Sequence, residues 1–422
     1  MKKNLNNERS AAINALAKWR RSGIFPDRLL ASGNSMAMEI TYGAIRNLSA
    51  LDFVLAKFLR KSPGVLPYAT LCAGAWQLIF AKNIPAYAAI SETVNAAKEI
   101  GAGPTGLINA VLRNIVRNRE AILNDLNGAP TAIRLSHPEE IVKRWELAFG
   151  VDKTLSICEA DNAIPSTTAI PLPFTDGARA LSLCEEWNAA SISARIVDSP
   201  CGTETIEIPH GIAIERLPGY EDGQFIIQDP ATLLSLSFLS PRNGETILDA
   251  CAAPGGKAMQ IAASVGANGK VFAFDAVEER LNRLRENALR TGLSNIEIRQ
   301  ADAKSSTLAG LLPSSQLDAI LADVPCSNSG VFRRRPDARW RWNAKETARL
   351  AELQLAILSN LAALKPKRIV YSTCSIDPEE DDSVIEKFLA TPIGVCYRLE
   401  KSTTLLPSMS SDGAYAALLV LE

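Results

Sequence analysis

The sequence predicts an α/β protein in which an all-helical domain and a small α/β connector precede a Rossmann-like, doubly wound domain. Two observations set this class. From Glu245 onward short apolar runs alternate with helical ones, whereas residues 8–125 carry apolar side chains at three- and four-residue spacing. A third observation, the segregation of charge, marks the boundaries. Residues 1–150 hold 19 Lys and Arg against 11 Asp and Glu, residues 151–240 hold 4 against 13, and residues 241–422 hold 22 against 22. The predicted domains are therefore 1–150 (helical), 151–235 (connector) and 236–422 (doubly wound).

In the helical domain the pattern runs through Ala11-Ile13-Leu16-Trp19 and Leu48-Leu51-Val54-Phe58, with breaks at Pro63-Gly64, Pro85 and Gly101–Pro104. The connector shows short alternating stretches such as Ile192–Val197. Beyond it, strands are expected at Thr246–Asp249, Lys270–Asp275, Ile296–Arg299, Leu317–Asp323 and Arg368–Ser372, with helices from Lys257, over 277–290 and near 345–364. Apolar strands alternating with helices indicate a mostly parallel sheet, whose ligands bind outside the carboxyl ends of the strands.

Composition excludes several classes. With 47% hydrophobic and 22% charged residues the chain is ordinary globular material, and 422 residues imply two or three cores. No run of eighteen apolar residues suggests a membrane span, and the polar start Met1–Asn7 has no apolar signal core, so a cytoplasmic protein is expected. Eight cysteines without a Cys-x-x-Cys pair, and only His137 and His210, give no metal-site spacing. A polyanion partner should meet the basic first third.

The strand ends carry the chemistry. Cys251-Ala252-Ala253-Pro254-Gly255-Gly256-Lys257 follows the first strand, and small residues there let a ligand approach the backbone at a helix start. Asp275 can accept both ribose hydroxyls and Asp302 an adenine amino proton. Each alone reads as a turn or a strand-end cap; in register at successive strand ends they point to an adenosine-bearing cofactor. Cys326, in Asp323-Val324-Pro325-Cys326, and Cys374, in Ser372-Thr373-Cys374, end the next two strands and can face one pocket. Either thiol alone would read as a small buried residue.

At residues 249–257, 323–330 and 371–375 the sequence resembles the bacterial Sun/Fmu-type ribosomal-RNA cytosine-5 methyltransferases, the small-subunit methyltransferase B family. Arg333–Asp337 and Gly223–Asp229 match as well. Tyr42–Asn47, Ile84–Ile90 and Asn109–Arg113 resemble the NusB-type RNA-binding domain that precedes the catalytic domain in that family. The resemblance implies S-adenosylmethionine as cofactor at residues 251–257, Asp275, Asp302 and Asp323, Cys374 as nucleophile and Cys326 as the product-releasing thiol. One departure is Ala414-Tyr415, after Asp412-Gly413, where the family has an aromatic pair.

The implied chemistry gives two thiols a purpose. A thiolate adding at carbon 6 of cytosine makes carbon 5 nucleophilic, Asp323 steadies the charge at ring nitrogen 3, and a second thiol clears the product. Cys374 should be activated by positive charge, from Lys257 or the donor's sulfonium. Arg333, Arg334, Arg335, Arg339 and Trp340 are expected to contact RNA through phosphate forks and stacking. A monomer acting on small-subunit ribosomal RNA is expected; a transfer-RNA or large-subunit target and a non-catalytic assembly factor remain alternatives. A DNA-type enzyme would use Cys326 as nucleophile, and a dinucleotide oxidoreductase lacks its Gly-x-Gly-x-x-Gly signature.

Overall fold

A computed structural model of the chain describes residues 5–30, 34–313 and 317–422. The start Met1–Asn4, which informed the expected location, lies outside the described residues. The chain divides into two compact units: residues 1–163 with 332–341, and residues 164–331 with 342–422.

The first unit is helical, as its apolar spacing predicts. Helix Val65–Ile79 runs through its middle, with every residue from Ala69 to Ile79 buried. Helices Leu5–Ser22, Ser35–Arg46, Ala86–Glu99 and Thr105–Arg117 pack around it. The unit extends past the expected boundary at 150, because helix Val151–Asn162 buries Ile157 and Cys158 with it.

The second unit holds two sheets. Strands β1 (Thr167–Pro171), β2 (Arg195–Asp198), β3 (Glu204–Ile208) and β4 (Phe225–Ile227) form an antiparallel sheet in the order β2-β3-β1-β4. Strands β5 (Thr246–Asp249), β6 (Lys270–Asp275), β7 (Ile296–Gln300), β8 (Ala319–Asp323), β9 (Arg368–Thr373), β10 (Tyr397–Leu405) and β11 (Ala414–Leu421) form the larger one. Its order is β10-β11-β9-β8-β5-β6-β7, parallel from β9 to β7, with β11 antiparallel to β9 and β10 to β11. The order reverses between β5 and β8, and such a switch point opens a crevice at the carboxyl ends of the strands. Connector and large sheet share a core, in which Ile170 and Phe174 pack with Ile247, Val271 and Val370. Among the described residues no helix is long and apolar enough to cross a membrane.

Candidate active site

The crevice at the switch point gathers the strand-end residues. Register sets Asp323 beside Ser372, and Asp249 beside Leu321, so the polar ends of β5, β8 and β9 lie side by side. The loop after β5 requires its glycines. Gly255 has φ +110°, and a Cβ there would lie 2.8 Å from Leu284. Helix Gly256–Val265 then begins, so its first turn points unpaired N–H donors at the crevice.

On one side a cavity of about 440 Å³ is lined by Cys251, Ala253, Asp275, Asp302, Asp323 and both Cys326 and Cys374. Asp275 is buried at the end of β6, where the backbone N–H groups of Ala253 and Val277 donate to its carboxylate at 3.3 and 3.0 Å. Asp302 is half exposed, oriented by the N–H of Lys304 at 3.0 Å. A neighbouring cavity of about 540 Å³ is lined by Ala252, Pro254, Gly256, Lys257 and Asp249. Cys251 is no nucleophile: burial, then the surrounding aspartates, push its thiol far up.

Asp249 is 1% exposed, no side chain hydrogen-bonds to its oxygens, and the backbone of Cys251 faces them. Burial, reinforced by Asp323 and relieved by Lys257, lifts its carboxyl to about 8. A buried carboxyl that holds its proton offers a ligand one donor and one acceptor. Together with two strand-end carboxylates and a helix start, these residues suit an adenosine-bearing, positively charged methyl donor.

The reactive centre lies where β8 and β9 end. The sulfurs of Cys326 and Cys374 are 3.1 Å apart, both as free cysteines. The hydrogen bond with Cys374, then burial, raises the Cys326 thiol well above its ordinary value, and Cys374 Sγ also lies 3.4 Å from Asn328 Oδ1. Lys257 forms an ion pair with Asp323 at 2.6 Å, and Ser372 Oγ donates to the other Asp323 oxygen at 2.8 Å. Burial works against the Lys257 charge, but Asp323, Asp249 and Cys374 outweigh it, so the ammonium persists.

Several supporting residues had escaped the sequence reading. Glu380 accepts the Ser327 N–H at 2.9 Å and Gln354 Nε2 at 3.0 Å, which fixes the Cys326 loop. Ser329 Oγ and Ser375 Oγ lie 2.9 Å apart and tie that loop to the Cys374 loop. Gly330 donates to the Cys374 carbonyl at 2.9 Å, and a Cβ on Gly330 would lie 2.8 Å from that oxygen. The run Asp377-Pro378-Glu379-Glu380-Asp381 after Cys374 is the signal in the sequence that could have found them.

The arginine-rich segment requires a correction. Residues 332–341 belong to the helical unit, where Arg333 and Arg339 are 1% and 0% exposed. Arg339 donates to the carbonyls of Ser136 and Asp161, both at 3.0 Å, and to Asn162 Oδ1 at 2.9 Å. Trp340 Nε1 donates to the Ile45 carbonyl at 2.8 Å, and Arg46 donates to the Arg333 carbonyl at 2.8 Å. The guanidinium of Arg335 lies over the Phe25 ring. A guanidinium that satisfies buried carbonyls cannot also grip phosphates, so Arg339 and Trp340 serve as internal ties, and Arg333 is buried beside them. Arg334 and Arg335 remain half-buried.

Fold and site together define a Rossmann-type methyltransferase. Residues 236–415 match the model of the 16S rRNA methyltransferase RsmB/F family, and residues 6–117 match that of the NusB family. The chain is 33% identical over 400 residues to the probable ribosomal RNA small subunit methyltransferase B of Bacillus subtilis, covering 90% of this chain and 88% of that one. It is 35% identical over 404 residues to the ribosomal RNA small subunit methyltransferase B of Vibrio vulnificus, covering 92% and 91%. The solved structure of PH0851 superimposes with a TM-score of 0.74 at 21% identity, covering 97% of this chain and 98% of that one. NSun6 from Pyrococcus horikoshii, solved with SFG, gives 0.58 at 19% identity, covering 67% and 98%. The chain belongs to the RsmB/F methyltransferase family and is an S-adenosylmethionine-dependent RNA methyltransferase with a NusB domain.

Proposed function

We propose that the protein methylates carbon 5 of a cytosine in small-subunit ribosomal RNA through a covalent adduct on Cys374, acting as a cytoplasmic monomer. The observation that carries this reading is the 3.1 Å pair of sulfurs set beside the Lys257–Asp323 ion pair. The names of the relatives support the target.

Carbon 5 of cytosine is a weak nucleophile until a thiolate adds at carbon 6. Cys374 attacks and Cys326, whose thiol is raised well above its ordinary value, holds the proton, with the Lys257 ammonium as the positive charge of the site. Asp323, fixed by Lys257 and Ser372, meets the edge of the ring around nitrogen 3 as charge shifts there. Residues 251–257, Asp275 and Asp302 hold S-adenosylmethionine, which supplies an electrophilic methyl group. With Cys374 tied up as a thioether, the hydrogen bond and charge that kept Cys326 protonated are gone. Cys326 then releases its proton to solvent, and its thiolate takes the proton from carbon 5. The electron pair of that C–H bond restores the ring double bond and expels Cys374 as thiolate.

The test is a trapping assay. Cys326→Ala, Cys374→Ala and the double variant are mixed with adenosylmethionine and protein-free small-subunit ribosomal RNA, then run on a denaturing gel. A stable adduct with Cys326→Ala alone, lost in the double variant, is expected. The reverse pattern would move the nucleophile to Cys326, as in DNA-type enzymes.

A further inference from the structure

We propose that the groove between helices Ala86–Glu99 and Thr105–Arg117 binds an unpaired segment of the substrate RNA. The inference rests on the RNA reading above and says where on the helical unit the strand lies. The groove encloses about 740 Å³. Its floor is apolar and half-buried, formed by Ile90, Val94 and Val116, and Tyr87 stands at its mouth with 78% of its surface exposed. Lys98, Arg113 and Arg117 line it, all exposed, and no carboxylate does.

That charge pattern is built by the helices. The acidic residues of helix 86–99 turn the other way: Glu99 accepts from Ser10 of helix Leu5–Ser22 at 2.8 Å, and Glu92 interacts electrostatically with Arg9 of the same helix. Lys98 is left facing helix 105–117. Arg113 and Arg117, one turn apart on that helix, are neighbours about 5–6 Å from each other at Cβ, close to the step between successive phosphates of a single strand. Arg113 is preset by a hydrogen bond from its Nε to Asn109 Oδ1 at 3.1 Å. An exposed tyrosine beside a wall of cations suits a base stacked next to its own phosphates. Asn95 and Asn109, also in the lining, offer amides to base edges. An acidic peptide would match the charge but leave the exposed ring without a flat partner. With Arg339 used as an internal tie and Arg333 buried, this groove is a site on the helical unit that sets exposed cations beside an exposed aromatic face.

The experiment uses the full chain and protein-free small-subunit ribosomal RNA, with filter binding over a series of salt concentrations. The triple variant Lys98→Gln, Arg113→Gln, Arg117→Gln should weaken binding by at least about tenfold and reduce the slope of log K against log salt by about 2. Tyr87→Ala should weaken binding by roughly five- to tenfold and leave that slope unchanged. Adenosylmethionine affinity, measured alongside, should stay at the wild-type value in both. Unchanged RNA affinity and slope in the triple variant would overturn the proposal and assign the groove to a protein partner. Binding is read separately from methyl transfer, so failure of the cytosine assignment would leave this test intact.

Discussion

Two neighbouring stretches, residues 323–330 and 332–341, look equally functional in sequence yet fold into different units and do different work. The first ends β8 and places Asp323 and Cys326 in the crevice, partly exposed, beside Cys374. The second, with five arginines and an indole close by, is drawn into the helical unit and spends its donors on backbone carbonyls. Charge and aromaticity by themselves do not distinguish a nucleic-acid surface from an internal tie. What distinguishes them is whether the polar atoms already have buried partners, because a buried carbonyl deprived of its donor costs about 1–3 kcal/mol.

The sharpest way to break the contrast is Cys374→Ala. Methyl transfer to RNA should vanish while calorimetric adenosylmethionine binding persists; surviving activity would remove the first stretch from the chemistry. Arg339→Ala comes next. It strips four acceptors, two of them buried, of their donor and removes the largest of three cationic partners of Asp161, which should cost about 3–5 kcal/mol in denaturant unfolding of the helical unit. Arg339→Lys should rescue little, since an ammonium lacks the planar fork. Unaltered stability with a lost RNA affinity would reverse the comparison and restore Arg339 as an RNA contact.

Gly330→Ala tests the joint between the two stretches. Its Cβ would press on the Cys374 carbonyl and on Gly413, so kcat should fall about 10²-fold with donor affinity unchanged. The last test concerns pH and is made at Asp249. Its carboxyl lies at about 8 in the folded protein against an ordinary 3.8, so the folded state holds an extra proton between those values. Stability should therefore fall as pH rises through that window, and Asp249→Asn should remove that fall. Thermal unfolding should show the variant gaining over wild type at pH 8 and not at pH 4; a constant gap would mean that Asp249 ionises normally.

Much of the fold was legible. The strands ending at Asp249, Asp275 and Asp323 are apolar runs closed by one acid, and the helices predicted near 277–290 and 345–364 occur as Glu278–Thr291 and Ala344–Ala362. The hairpin of β10 and β11 was not foreseen, because its pairing is decided by the edge of β9 that it covers. The positions of Cys326 and Cys374 were legible as strand ends, but the short contact between them was not. It depends on Glu380, Ser329, Ser375 and Gly330, whose partners lie 44 or more residues away in sequence.

By itself the sequence determined the order of strands and helices, the loop after β5 and the identity of the reactive side chains. These follow from local periodicity, from backbone freedom at glycine and from side-chain chemistry, all of which act within a few residues. Only the tertiary structure decided how close the two sulfurs lie, which aspartate is buried without a side-chain partner and which arginines are buried. Those outcomes depend on solvent exclusion and on partners from distant segments, and no local pattern records either one.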